Sequence, residues 1–219
     1  AGCFYLKFIM KDIFAKFSGI PIILAPMEDV TDIAYWKICK YYGADILYTE
    51  FVSSDALSRQ VFKSKEKIKF DEEDRPIAVQ IFGSEEKAMV EAAQIAQEYN
   101  PNFIDINWGC PVKKIVSKGA GSAILKDIPK MISITKAIVK SVSLPVTVKT
   151  RLGWDETSKP IVEVALRLQD AGIQSLTIHG RTRSQLYSGK ADWSLITQVK
   201  KHHDIEIPII GNGDIYDEE

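Results

Sequence analysis

Short runs of apolar, β-prone residues recur along the chain, and between them the hydrophobic positions switch to a helical spacing. The runs at 22–25, 46–51, 77–82, 103–108, 146–149, 175–179 and 208–211 predict seven strands. Between them, residues 85–99 place Ala88, Ala92, Ile95, Ala96 and Tyr99 on one helical face. Asp127 with Pro129 supplies a cap and a first-turn residue for the next helix. Pro160 opens a third helix that Gly172 ends, and Asp192 caps a fourth that runs to His202. Strand runs that are apolar throughout suit a parallel sheet covered on both faces. Uniform helices, and no GxGxxG after the first run, favour a (β/α)8 TIM barrel over an open doubly wound sheet.

Seven such units reach almost to Glu219, so the expectation is an α/β barrel whose eighth β/α unit is missing from this chain. Residues 22–219 then form the barrel domain, and residues 1–21 an N-terminal amphipathic segment. The apolar stretch at 4–17 is interrupted by Lys7, Lys11, Asp12 and Lys16, which argues against a signal-peptide core or a membrane span. With 219 residues and 46% hydrophobic side chains, one domain can bury a full core. Lys and Arg number 28 against 29 Asp and Glu, so any polyanionic partner must be met by local patches. Cys3, Cys39 and Cys110 form no CxxC pair, which predicts free thiols in a reducing, cytoplasmic setting. His202 and His203 have no ligand cluster in the sequence around them, so no metal is expected.

Polar residues gather at the carboxyl ends of the runs, the rim where a barrel builds its active site. They are Pro26 and Met27, Glu50, Gln80, Asn107 with Cys110, Lys149 with Arg151, His179 with Arg181, and Asn212-Gly213-Asp214. Cys110 reads either as an inert loop thiol or as an acid, since a thiol of ordinary pKa is protonated at neutral pH; a nucleophilic role would need His179 as its base. Lys149 in an otherwise apolar strand requires an anion, either a ligand such as a flavin or phosphate, or an internal carboxylate such as Glu50 or Asp105. The Gly211-Asn212-Gly213-Asp214-Ile215 turn follows the seventh run, where backbone amides commonly cradle phosphate.

Taken in order, these segments resemble the tRNA-dihydrouridine synthase family. The matching elements are Ala25-Pro26-Met27 with Val30-Thr31-Asp32, Asn107-Trp108-Gly109-Cys110-Pro111, Lys149-Thr150-Arg151, His179-Gly180-Arg181-Thr182-Arg183, Ala191-Asp192-Trp193 and the 211–215 turn. The resemblance implies an FMN barrel that takes NADPH as reductant and tRNA as substrate. Hydride would pass from flavin N5 to C6 of a flipped-out uracil, and Cys110 would donate the proton at C5. It further implies that Pro26, Met27, Gln80, Lys149, His179, Asn212, Gly213 and Asp214 bind the cofactor, and that Asn107, Arg151 and Arg181 meet the substrate. The family continues with a Gly-Arg-bearing eighth strand and a helical domain that grips tRNA, both expected to be missing from this chain. Glu28-Asp29 also stands where the family commonly has small residues. Two other readings are another FMN barrel, such as a dihydroorotate or dihydropyrimidine dehydrogenase, and a non-catalytic remnant of the same barrel.

Overall fold

The structure, a computed structural model, describes residues 14–216. Its elements are α1 (Ile33–Tyr41), β1 (Leu47–Tyr48), β2 (Val52–Ser53), α2 (Ser54–Ser58), α3 (Phe62–Glu66), β3 (Ile77–Phe82), α4 (Glu86–Glu98), β4 (Phe103–Trp108), α5 (Lys113–Val116), α6 (Ile128–Ser141), β5 (Val146–Arg151), α7 (Ile161–Asp170), β6 (Leu176–His179), α8 (Trp193–Lys201) and β7 (Ile209–Asn212). Short 3-10 segments span Glu72–Asp74 and Gly121–Lys126. The strands form one parallel sheet in the order β1-β3-β4-β5-β6-β7, with β2 also on β3. This sequential order, with helices between strands, makes the fold an α/β half-barrel. Among the described residues, the edges of the sheet are β7 and the segment 22–24.

Two predicted strands come out differently. Residues 22–25 pair with the next strand only through a bridge between Ile23 and Ile46, with Leu24 N–H donating to Ile46 C=O at 2.9 Å. The run at 46–51 is split, because four steps from Tyr48 to Val52 face three steps from Ala78 to Ile81, the signature of a β-bulge. Within the bulge the Thr49 hydroxyl accepts from Gln80 N–H at 3.2 Å, replacing a backbone carbonyl of the ladder.

The central strands are not apolar throughout. Val79, Ile81, Ile104, Ile106, Trp108, Val146, Val148, Leu176 and Ile178 face the helices, where they meet Met89, Ala92, Ala93 and Ala96 of α4 and the apolar faces of α6, α7 and α8. The alternate positions Gln80, Asp105, Asn107, Thr147, Lys149, Arg151, Thr177 and His179 carry polar groups on the enclosed face. The start of that enclosed face is sealed by Ile46, Tyr48, Ala78 and Phe103, against which Phe14 and Phe17 pack. The earlier part of the predicted amphipathic segment, and Cys3, lie outside the described residues.

The punctuation of the helices follows the sequence closely. Asp127 accepts from Lys130 N–H at 3.1 Å with proline in the first turn of α6, and Asp192 caps α8 through Ser194 N–H at 3.0 Å. Gly172 ends α7 at φ +100, a conformation that favours glycine. The buried face of α4 centres on Met89 and Ala93 as well as Ala92 and Ala96, one position round from the predicted stripe. Among the described residues no helix is long and apolar enough to cross a membrane.

Candidate active site

The turn after β4 is held from three sides. Asn107 Oδ1 accepts from Gly109 N–H at 3.0 Å and Cys110 N–H at 2.8 Å. Cys110 C=O accepts from Ser122 N–H at 3.0 Å and Ser122 Oγ at 2.9 Å. Arg151 Nε donates to Gly109 C=O at 2.9 Å. The Cys110 thiol is thus fixed in a site where it is only 7% exposed. Burial raises its pKa and Glu28 adds to the rise, outweighing Val112 N–H, Arg151 and Lys149, so the group is a protonated acid at neutral pH. Among the described residues no hydrogen bond joins Cys110 to His179, so the base partner a nucleophile would require is not supplied there.

Below the turn, a chain of side chains crosses three strands. Asn107 Nδ2 donates to Gln80 Oε1 at 2.9 Å, Gln80 Nε2 donates to Asp105 Oδ2 at 2.6 Å, and Thr147 Oγ1 donates to Asp105 Oδ1. All four residues are buried. Ionised Asp105 can only accept, so Gln80 must turn its NH2 toward it, and its carbonyl must then accept from Asn107. This leaves Asn107 Oδ1 facing the turn. The orientation of the Asn107 amide is therefore set by a carboxylate one residue pair deeper in the sheet. Burial raises Asp105 to about 6, with Thr147 and Gln80 opposing the rise.

On the neighbouring strands, Lys149 lies beside Asn107 in register, and Arg151, His179 and Asn212 are aligned across β5, β6 and β7. Half-buried Lys149 donates to Asn212 Oδ1 at 3.0 Å, and no carboxylate lies within 4.0 Å of it among the described residues. Neither internal partner considered from sequence is used: Glu50 pairs with Lys67, and Asp105 is held by Gln80 and Thr147. Burial and the repulsion of Arg151 lower Lys149 to about 8. Burial, then Lys149, Arg151 and Arg181, lower His179 to about 3, so its imidazole is neutral. Arg181 Nη1 lies 3.3 Å from His179 Nε2. An arginine can only donate, so Nε2 is the acceptor and Nδ1 carries the proton.

The turn after β7 offers backbone donors. Asn212 C=O is held by Gly180 N–H at 2.9 Å and Gly213 C=O by Trp193 Nε1 at 2.9 Å, whereas the N–H groups of Gly213 and Asp214 have no partner among the described residues. Gly213 has φ +108, and a Cβ there would come within 3.0 Å of the His179 ring. Asp214 accepts from Ala191 N–H at 2.7 Å and from Arg181 Nη2 at 2.7 and 2.8 Å, which hold its carboxyl below the usual range.

Arg151 and Arg181, expected at the substrate, have their guanidinium groups engaged within the protein. Arg151 Nη1 donates to Thr182 and Leu186 C=O, both at 2.9 Å, and Arg181 binds Asp214, Gly189 C=O and Ser188 C=O. Pro26 is half-buried and Met27 exposed at the end of the first segment. A cavity of about 620 Å³ lies apart from this cluster, lined by Thr31, Trp36, Glu50 and Lys67 among others. The site residues that sequence reasoning missed are Thr147 and Ser122, and Trp193 was singled out in a motif without a role. Alternation along 146–151 was the available signal for Thr147; Ser122 and the contact of Trp193 with Gly213 arise by tertiary approach alone.

A half-buried ammonium with only a neutral partner, beside two backbone N–H groups without a partner among the described residues, is a donor set suited to an anionic, phosphate-bearing cofactor such as FMN. The fold defines the class first: over 99% of this chain and 73% of the other, the structure resembles 2,3-dimethylmalate lyase, a PEP mutase/isocitrate lyase superfamily member, with TM-score 0.58 at 12% identity, a likeness of fold alone. The chain belongs to the dihydrouridine synthase family, whose model matches residues 23–219. It is 43% identical over 194 residues to tRNA-dihydrouridine synthase B of Pseudomonas aeruginosa, covering 89% of this chain and 58% of that protein. It is also 43% identical over 196 residues to probable tRNA-dihydrouridine synthase 1 of Synechocystis sp., covering 89% and 54%. The chain thus spans just over half the length of these curated relatives. They do not favour a different flavin barrel or a non-catalytic remnant.

Proposed function

We propose that this chain is the catalytic half-barrel of a tRNA-dihydrouridine synthase, an FMN enzyme that uses NADPH to reduce the C5=C6 bond of uridine in tRNA. The observation that carries the reading is a buried, protonated Cys110 on the same rim as the Lys149 ammonium, which bonds only the neutral Asn212 Oδ1 among the described residues. FMN would be held by Pro26, Met27, Lys149, His179 and the Asn212-Gly213-Asp214 turn; Gln80, expected at its polar edge, is fully buried with both ends of its amide engaged by Asp105 and Asn107, and serves instead to orient Asn107. Reduced by NADPH, it supplies the hydride equivalent that the uracil ring accepts at C6.

The protein's own groups do the rest. As C6 gains hydride, negative charge develops on the C5 and O4 side of the ring, and Cys110 donates its proton at C5, leaving a thiolate that solvent reprotonates. Burial keeps the proton on sulfur until that charge forms. Lys149 offsets negative charge beside the reacting groups, and neutral His179 contributes a hydrogen bond without adding a competing cation. Asn107 positions the acid by gripping its N–H, while Arg151 and Arg181 hold the loops that would frame the base. The uridine must leave its stack to reach this rim. A cytoplasmic setting would keep the Cys110 thiol reduced.

The test is an absorbance spectrum of the purified full-length protein, anaerobic addition of NADPH, and mass spectrometry of tRNA from the reaction. A flavin spectrum that bleaches, with dihydrouridine formed, is expected. Flavin-free protein with unmodified tRNA would overturn the proposal.

A further inference from the structure

Among the described residues, cations on the outer surface are mixed: Lys69, Lys87, Lys130 and Arg167 each have a carboxylate partner, whereas Lys136 and Lys140 of α6 have none within 4.0 Å. In the segments that follow β4, β5 and β6 at the rim, Lys113, Lys114, Lys118, Lys126, Arg183 and Lys190 have no carboxylate within 4.0 Å among the described residues. The acids of these segments are already engaged: Asp127 caps α6, Asp155 binds Thr157, and Glu156 pairs with Lys159.

Two of the free cations share one aromatic ring. Lys126 Nζ lies 3.9 Å from the Trp154 ring centroid and Arg183 Cζ 4.7 Å from it, and Arg183 Nε is buried without a hydrogen-bond partner. The ring attracts each cation, and the pair concentrates positive charge at one half-buried indole, which favours an anion beside it. The loops that carry Trp154 and Arg183 are zipped together, with Leu152 N–H donating to Arg181 C=O at 3.2 Å, Arg183 N–H to Gly153 C=O at 2.9 Å and Ser184 N–H to Trp154 C=O at 2.9 Å, while Lys126 reaches the ring from the end of the Gly121–Lys126 segment. Arg151 ties this platform to Gly109 C=O beside Cys110 and lies against Tyr187, whose ring is 75% exposed.

We infer that Lys126 and Arg183, set on the Trp154 platform, bind the phosphodiester backbone of the RNA next to the target uridine. The inference rests on the proposed tRNA substrate and adds a rigid surface of this half-barrel to its recognition. A backbone phosphate arriving at this platform is attracted by both cations, each of which has no carboxylate partner among the described residues. Because Arg151 bonds both this platform and the Cys110 turn, the anchored strand is held in register with the proton donor.

The experiment measures tRNA binding to the full-length, flavin-loaded protein by fluorescence anisotropy across a salt series. Counterion release predicts that Lys126→Gln weakens binding about 5- to 8-fold at ~0.1 M salt and lowers the log–log salt slope by ~0.7–0.9. Lys126→Gln with Arg183→Gln should weaken it about 25- to 60-fold, with twice that change of slope. Arg183→Lys, which keeps the charge, should recover most of the loss of Arg183→Gln. Lys136→Gln with Lys140→Gln, on the outer helix α6, should change affinity less than about twofold. Platform variants with wild-type affinity and slope, or an outer pair that loses as much, overturn the inference. If the wild type still forms dihydrouridine in that case, the proposed function stands without this surface; a wild type that neither binds nor modifies tRNA removes both.

Discussion

Replacing Lys149 with methionine is expected to push the cofactor-free protein and its cofactor affinity in opposite directions. Lys149 is lowered from 10.5 to about 8 because its ammonium is buried with only Asn212 Oδ1 to bond. At neutral pH that shift corresponds to about 3 kcal/mol of unfavourable burial, and losing the Asn212 bond returns about 1 kcal/mol of it. Lys149→Met should therefore stabilise the cofactor-free protein by about 2 kcal/mol, raising its Tm by roughly 4–8 °C. Flavin affinity should fall roughly 10- to 100-fold, the worth of one charge-assisted contact to an anion. An anion raises the Lys149 pKa on binding, so in the wild type affinity is fully present below about 8 and declines as pH rises through that value. The variant should lack this decline. Flavin fluorescence titrations from neutral to alkaline pH, with thermal melts of the stripped protein, measure both effects. A destabilised Lys149→Met protein, or one that keeps the alkaline decline, refutes the reasoning.

Cys110→Ala should retain flavin and its reduction by NADPH while slowing dihydrouridine formation by about 10²–10⁴, the usual range for a lost general acid; retained turnover removes that role. Asn107→Ala strips the partner from Gly109 N–H, Cys110 N–H and Gln80 Oε1, so urea unfolding should show a loss of about 3 kcal/mol, and a loss under 1 kcal/mol would contradict the network. His179 has a pKa of about 3 in the fold against 6.5 otherwise, so the unfolded chain binds the extra proton between those values and stability drops by about 1.4 kcal/mol per unit as pH falls below 6.5. Asp105 acts in the opposite sense in every variant, so the comparison is with His179→Gln, which should have a shallower acid limb; equal limbs would mean the imidazole is not held neutral.

Residues 77–82 and 103–108 were legible as strands to the residue because the apolar half of each strand faces helices and the flanking turns are well marked. The bulge between Tyr48 and Val52 was not, since it depends on a Thr49 side chain replacing a ladder bond on a strand distant in sequence. The strand-end rule gathered Gln80, Asn107, Cys110, Lys149, His179 and Asn212, which the fold places along one side of the sheet. It could not reveal that the Arg151 and Arg181 side chains are engaged by loop carbonyls and Asp214, because both carriers of that information, loop path and rotamer, arise only on folding. Nor could it choose between Asp105 and a ligand as the partner of Lys149; Thr147 and Gln80 settle the internal half of that question by occupying the Asp105 oxygens.

The one-way chain from Asp105 through Gln80 to Asn107 also constrains how the family can drift. An asparagine at 105 would present a donor as well as an acceptor, and both amides above it could then reverse together with little change in shape. The turn at Cys110 would in that case face an NH2 group in place of a carbonyl, although no residue touching the cysteine had changed. Positions 80, 105 and 107 of this chain therefore act as one word spelled in three places, and substitutions at any of them should be tolerated only in combinations that keep a carbonyl pointing at the turn.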